Sequence, residues 1–140
     1  MSEASNAAAT VLIVEDDATL ALLTRKQLAK TGVAADCVSN GREAIKQFKA
    51  KEYVLVLMDI QMPIMDGIEA TMAMREWEKR RSKFRTPIVA MTANPDRQLC
   101  LDAGMDDFVF KPVMLDQLNQ LLDRWCPKLR PDKPSAIFKP

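Results

Sequence analysis

The chain has 140 residues, 48% of them hydrophobic, which is enough for one domain with a covered core and too few for two. Its 20 lysines and arginines nearly cancel 19 aspartates and glutamates, and the formal charge of +1 favours neither nucleic acid nor an anionic membrane as a partner. The absence of histidine excludes histidine-based catalysis, zinc sites of the histidine type and a phosphohistidine role for the chain itself.

Three cysteines at unrelated spacings, Cys37, Cys100 and Cys126, form no Cys-x-x-Cys pair and read as small reduced hydrophobes. The N-terminus lacks the basic start and apolar centre of a signal peptide. No run approaches the roughly 18 apolar residues of a membrane span, so a soluble, cytoplasmic protein without membrane insertion is expected.

Residues 1–9 are small and polar and read as a flexible segment. Thr10-Val11-Leu12-Ile13-Val14 reads as a first strand that runs into Glu15-Asp16-Asp17. A helix carrying Leu20, Leu22, Leu23 and Leu28 follows and stops at Thr31-Gly32, with Gly32 as its C-cap. Val33 to Val38 is a weaker, polar-broken strand that suits a sheet edge. Asn40 then N-caps a helix in which Ala44, Ile45 and Phe48 recur at helical spacing.

The uninterrupted apolar run Tyr53-Val54-Leu55-Val56-Leu57-Met58 ends in Asp59 and the Pro-containing loop Ile60-Gln61-Met62-Pro63. Such a run reads as a central strand covered on both faces, with Asp59 stranded at its carboxyl end. Asp66-Gly67 opens a helix carrying Ile68, Met72 and Arg75. Its charged end, through Arg81, reads as a solvated face with a Glu76–Arg80 surface pair, against the sharper reading of a basic docking patch.

Pro87 to Met91 forms the fourth strand, ending at Thr92, and Asn94-Pro95 reads as the cap and first position of a short helix that closes at Gly104. Phe108-Val109-Phe110 forms the fifth strand, ending at Lys111-Pro112. Leu115, Leu118, Leu122 and Trp125 stripe a last helix, and the Pro-rich residues 127–140 read as a tail or linker.

Five strands alternating with five helices predict an α/β doubly wound (βα)5 sandwich of flavodoxin-like type, with a parallel sheet of order 2-1-3-4-5. That order brings Glu15, Asp16, Asp59, Thr92 and Lys111 to one sheet edge. Crowded carboxylates are costly to keep ionised without a cation among them, and an all-oxygen set suits Mg²⁺ (or Mn²⁺) rather than zinc. Asp59 is then a plausible nucleophile toward phosphorus, Lys111 a second positive centre and Thr92 a hydroxyl donor. Each group also has an ordinary reading, as turn acid, backbone-bonded threonine or surface lysine; the joint placement at strand ends favours the chemical one.

The segments Val11 to Asp17, Leu57 to Gly67, Pro87 to Asn94 and Gly104 to Pro112 resemble, in order, the motifs of response regulator receiver domains, and the wording is similar to receivers attached to hybrid sensor kinases. The resemblance covers residues 10–126. It implies that Asp59 is the phosphoacceptor, Glu15 and Asp16 the metal-binding acids, Gln61 the donor of a backbone carbonyl to the metal, and Thr92 and Lys111 the switch hydroxyl and phosphoryl-binding lysine. It also implies an aromatic switch at Phe108, a cis bond before Pro112, and tuning of dephosphorylation by Gln61 and Asn94. Asp17 is either a third acid near the metal or the N-cap of the first helix.

The implied partners are a histidine kinase or histidine phosphotransfer protein, and a downstream protein on the face of the fourth helix, fifth strand and fifth helix. No nucleic acid is implied, and no metabolic enzyme beyond a catalyst of its own phosphoryl transfer and slow autodephosphorylation. The sequence departs from the family in a span from Thr92 to Lys111 about three residues short, in the bulky Phe110, and in a lengthened Glu76–Arg85 connection. One other reading stays open, an interaction module with little switching; a Mg²⁺-dependent phosphatase wants a second acid where Gln61 stands, and a flavodoxin-like electron carrier wants a Ser/Thr/Gly phosphate loop where Glu15-Asp16-Asp17 stands, so both are disfavoured.

Overall fold

The computed structural model describes residues 9–62, 65–93 and 96–129. Five strands, β1 (Thr10–Val14), β2 (Ala34–Val38), β3 (Leu55–Asp59), β4 (Ile88–Thr92) and β5 (Asp107–Phe110), alternate with α1 (Ala18–Lys30), α2 (Gly41–Ala50), α3 (Gly67–Arg80), α4 (Arg97–Ala103) and α5 (Leu115–Trp125). A 3₁₀ turn, Pro127–Leu129, follows. The strands pair in parallel in the order β2-β1-β3-β4-β5, as the alternation predicts.

The strand residues split by parity between two cores, because successive side chains leave a strand on opposite faces. Val11, Ile13, Leu55, Leu57, Val89 and Met91 point to one side and pack against Leu28 of α1 and Leu118 and Leu122 of α5. Leu12, Val14, Val56, Met58, Ile88 and Ala90 point to the other, against Ala44 and Phe48 of α2, Ala70 and Met74 of α3 and Cys100 of α4. Burial on both faces is what makes β1, β3 and β4 read as unbroken apolar runs. Each fully buried Leu or Val contributes about 1.5–3 kcal/mol relative to exposure.

Several expectations need correction in detail. The central strand starts at Leu55, not Tyr53. The Tyr53 hydroxyl is committed sideways, donating to Asp36 Oδ2 at 2.8 Å and accepting from Gln47 Nε2 at 3.1 Å. Thr31 is the cap of α1, and Gly32 follows it at φ +84°. The cap of α4 is Asp96, whose side chain accepts from the Leu99 N–H at 3.1 Å, so the helix begins at Arg97; Pro95 lies outside the described residues. Asn94 itself lies outside the described residues, as do residues 1–8 and 130–140. Cys37 is exposed on β2, whereas Cys100 and Cys126 are buried as expected.

The end of α3 is not simply a solvated face. Glu76 and Arg80 form the expected exposed pair at 3.3 Å. Arg75 and Glu78, however, turn inward, and Glu78 is only 5% exposed. Arg75 donates to Glu78 Oε1 at 2.8 Å, to Asp106 Oδ2 at 2.7 Å and to the carbonyls of Gly104 and Thr86, both at 2.8 Å. The hub ties α3 to the approach to β4 and to the turn between α4 and β5.

Candidate functional site

Sheet register sets the site. Val14 is level with Met58 across β1 and β3, so the next residues, Glu15 and Asp59, emerge side by side. Asp59 is level with Met91, and Thr92 with Phe110, which puts Thr92 and Lys111 at the same edge. The Glu15 N–H donates to Val38 O at 3.0 Å and the Lys111 N–H to Thr92 O at 2.9 Å, which extends the ladder by one residue on each side.

Glu15 and Asp59 are buried, 4% and 3% exposed, while Asp16 faces solvent. One carboxylate oxygen from each of the three lies within 4.8 Å of the others. Lys111 Nζ bridges the two buried acids, 2.9 Å from Glu15 Oε1 and 3.0 Å from Asp59 Oδ2. Asp59 Oδ1 accepts the Gln61 N–H at 3.2 Å, and Glu15 Oε2 accepts the Asp17 N–H at 3.1 Å. Thr92 is 7% exposed at the end of β4. Sequence-distant groups expected together are therefore together.

Asp17 has the simpler of its two roles. Its carboxylate caps α1, accepting from the Thr19 N–H at 2.9 Å and the Leu20 N–H at 3.1 Å, and it is not one of the three clustered acids. The Lys111–Pro112 bond is cis. Phe108 is half-buried, with Arg97 5.3 Å above its ring and Phe110 edge-on at 6.2 Å. Phe110 is 52% exposed, so its bulk points outward. Of the two acids before the fifth strand's aromatics, neither joins the site: Asp106 belongs to the Arg75 hub, and Asp107 accepts from Arg124 at 2.8 Å and from the Trp125 indole at 3.0 Å. The inward Arg75 left no mark in the sequence other than an Arg three residues before a Glu on one helix.

Burial pushes the Glu15 carboxyl above its ordinary range; the Lys111 ammonium and the Asp17 N–H pull the other way, and the charge of Asp59 adds to the rise. Burial lowers Lys111, but its bonds to Glu15 and Asp59 outweigh that and leave it raised. A carboxyl whose folded pKa is raised binds its proton more tightly in the fold, so stability is lost as pH climbs through that value. Glu15→Gln is therefore expected to melt above the wild type at neutral pH in EDTA, with the difference vanishing below the ordinary carboxyl pKa of 4.5. Thermal melts across that range check it, and a variant that melts lower at pH 7 would contradict the assignment.

Three convergent carboxylates with no thiol or imidazole nearby form a hard oxygen donor set of the kind that suits Mg²⁺ or Mn²⁺. The bridging Lys111 already offsets part of their repulsion. Among the described residues this is the one acidic group with metal-ligating spacing.

The model of the response regulator receiver domain matches residues 11–123. Hybrid signal transduction histidine kinase G of Dictyostelium discoideum is 43% identical over 122 residues, covering 84% of this chain and 4% of that protein. The receiver domain of sensor histidine kinase PA1611 from Pseudomonas aeruginosa, solved with magnesium in its active site cleft, is 35% identical with a TM-score of 0.75, over 84% of this chain and 96% of that one. The receiver domain of Ssk1 in its Saccharomyces cerevisiae complex with the histidine phosphotransfer protein Ypd1 is 32% identical with a TM-score of 0.78, over 89% and 93% of the two chains. The chain spans between 4% and 16% of the length of the curated relatives it matches. With the sheet order, the strand-end acids and the lysine on the opposite strand already in place, the match over nearly the whole described fold leads to one assignment: the chain belongs to the response regulator receiver domain family.

Proposed function

We propose that Asp59 accepts a phosphoryl group from a histidine of a partner kinase or phosphotransfer protein. The observation that carries the reading is the Lys111 ammonium seated 3.0 Å from Asp59 Oδ2 beside a cluster of three acids. A carboxylate oxygen of Asp59 attacks phosphorus, the P–N bond to the partner imidazole breaks with its electron pair leaving on nitrogen, and an acyl phosphate remains. Lys111 follows the charge onto the phosphoryl oxygens, and Thr92 donates its hydroxyl to one of them. Glu15, Asp16, Asp59 and the Gln61 carbonyl are the groups that would hold Mg²⁺. When bound, that ion neutralises charge on the phosphoryl oxygens and offsets repulsion among the acids.

In this reading residues 10–126 are the working domain, residues 127–140 are a tail or linker, and the setting is the cytoplasm. Gln61 and Asn94 are the residues assigned to tuning the lifetime of the acyl phosphate. Phosphorylation draws Thr92 toward the new charge and lets Phe108 turn inward, which reshapes the face of α4, β5 and α5 for a downstream protein.

The test is acetyl phosphate with Mg²⁺, read by intact mass. The wild type is expected to gain one phosphoryl group and Asp59→Asn none; no adduct on wild type, or an equal adduct on the variant, sinks the reading. The seven-residue α4 and the stacking of Arg97 on Phe108 favour a second reading, a module that is phosphorylated but switches little. Amide shifts on beryllofluoride addition separate the two: changes across α4, β5 and α5 support switching, and changes confined to the site support the module.

A further inference from the structure

At the sheet edge opposite Asp59, where Tyr53-Val54 and Thr86-Pro87 lead into β3 and β4, a groove of about 630 Å³ opens between the ends of α3 and α5. That volume falls within the roughly 300–1,000 Å³ of small-molecule sites. Phe48, Tyr53, Trp77 and Trp125 line it, and Phe84 stands at its lip, 97% exposed. Five of the chain's eight aromatic side chains are thus gathered at a place the phosphoryl chemistry does not use. Phe48 and Tyr53 are 5% and 7% exposed, so the floor is recessed.

The rim is basic. Lys51, Arg81, Lys83, Arg85 and Lys128 face two carboxylates, Glu52 and Glu78. Glu78 is already neutralised by Arg75 and accepts the Thr86 N–H. Glu52 is 89% exposed and holds Lys83 at 3.3 Å, a pair that water weakens. Lys51 and Arg85 have partners in Asp36 and Asp106, whereas Arg81 and Lys128 have no ion pair among the described residues. Arg81 and Lys83 lie over the Trp77 ring, 6.0 and 5.6 Å from its centre, so positive charge is held against the aromatic lining of the groove.

We infer that this groove binds an aromatic anion, a planar ring carrying phosphate or carboxylate, with the ring on the tryptophan floor and the anionic group on Arg81, Lys83 and Lys128. Stacking on indole suits any flat ring, while guanidinium and ammonium groups supply charge-assisted bonds to the anion. A recessed floor favours a small ligand over a flat bilayer surface. Charge also argues against the chain's own residues 130–140, where Arg130, Lys133 and Lys139 outnumber Asp132. The site is independent of phosphoryl acceptance, being separated from Asp59 by the length of β3, about 16 Å for five strand residues.

The experiment titrates the ¹⁵N-labelled full chain in EDTA with ATP, with indole-3-acetate and with the fluorescent probe 8-anilinonaphthalene-1-sulfonate. Saturable shifts of the Trp77 and Trp125 indole N–H signals and of residues 51–54 are expected. Arg81→Glu with Lys83→Glu, both solvent-facing, should weaken binding by about tenfold or more and leave labelling of Asp59 by acetyl phosphate unchanged. Phe84→Ala, equally safe for folding, should weaken it further. A preference for ATP identifies the source as nucleoside phosphates, and a preference for indole-3-acetate identifies aromatic acids. The inference is overturned if no probe saturates at millimolar concentration, if the double variant binds as tightly as wild type, or if the shifts gather at Glu15, Asp59 and Lys111. It is equally overturned if binding appears only after removal of residues 130–140, which makes the tail the occupant, or if the groove signals move with protein concentration alone, which makes a second copy the occupant.

Discussion

Replacing Gly67 by alanine will slow phosphorylation of Asp59 by on the order of a hundredfold, because it displaces the acid's own backbone on the ångström scale at which such geometry is decided. Asp66 caps α3, its side chain accepting the Glu69 N–H at 2.9 Å, and Gly67 is the first helical residue, its N–H donating to Ile60 O at 2.8 Å. The helix start is thereby pressed against the end of β3. A Cβ at position 67 would overlap the carbonyl oxygen of Asp59 and lie 2.9 Å from Met58 Cγ. The oxygen is backbone and cannot rotate away, so either α3 lifts or Asp59 shifts. Relief of such an overlap costs about 1–3 kcal/mol of stability, and the shift moves the carboxylate relative to Lys111 and Glu15. Gly32→Ala is the comparison: at φ +84° with nothing within 4 Å, it costs backbone strain of about 1–2 kcal/mol and leaves the site untouched. Acetyl phosphate labelling rates beside urea midpoints separate the two. If Gly67→Ala labels at the wild-type rate, the close approach is not what sets the acid's position.

The same contrast between local and distant causes explains what could be read from the sequence. Asp59, Glu15, Thr92 and Lys111 were legible because each terminates an apolar run, and parallel pairing carries strand ends to one edge without any need to know side-chain contacts. Asp17 and Asn40 were legible as caps for the reason that a cap acts within three residues. The start of α4 was not: Asn94-Pro95 and Asp96 both offer a cap within a few residues, and Asp96 took the role. Cys37 is free, as its spacing implies, and its exposure follows from β2 being an edge strand with its burial broken, where hydrophobicity alone does not decide a side chain's side. Arg75 and Glu78 were misjudged because their partners lie at Thr86, Gly104 and Asp106, and a charged helix end has the same sequence whether solvated or folded over a gap.

That hub carries a large expected effect on stability. Arg75→Ala should lower the unfolding free energy by about 3–5 kcal/mol, read from urea denaturation. The side chains of Arg75, Glu78 and Asp106 are 14%, 6% and 11% exposed, so the carboxylates left behind cannot recover their hydration. Asp106 keeps the more exposed Arg85 at 2.8 Å and the Ile88 N–H at 2.9 Å. Glu78 keeps only the Thr86 N–H, and the larger share of the loss falls on it. Arg80→Ala removes a cation five residues further along the same helix, from a pair whose side chains are 74% and 59% exposed, and should cost under about 0.5 kcal/mol. The two arginines therefore separate burial from charge as causes of the loss. If the damage is the stranded charge of Glu78, Arg75→Met combined with Glu78→Leu should recover part of the stability that Arg75→Ala forfeits, less the lost bond to Thr86. A double variant no more stable than Arg75→Ala would instead assign the role of Arg75 to its bonds with the Gly104 and Thr86 carbonyls, which hold the approach to β4 and the turn between α4 and β5 against α3.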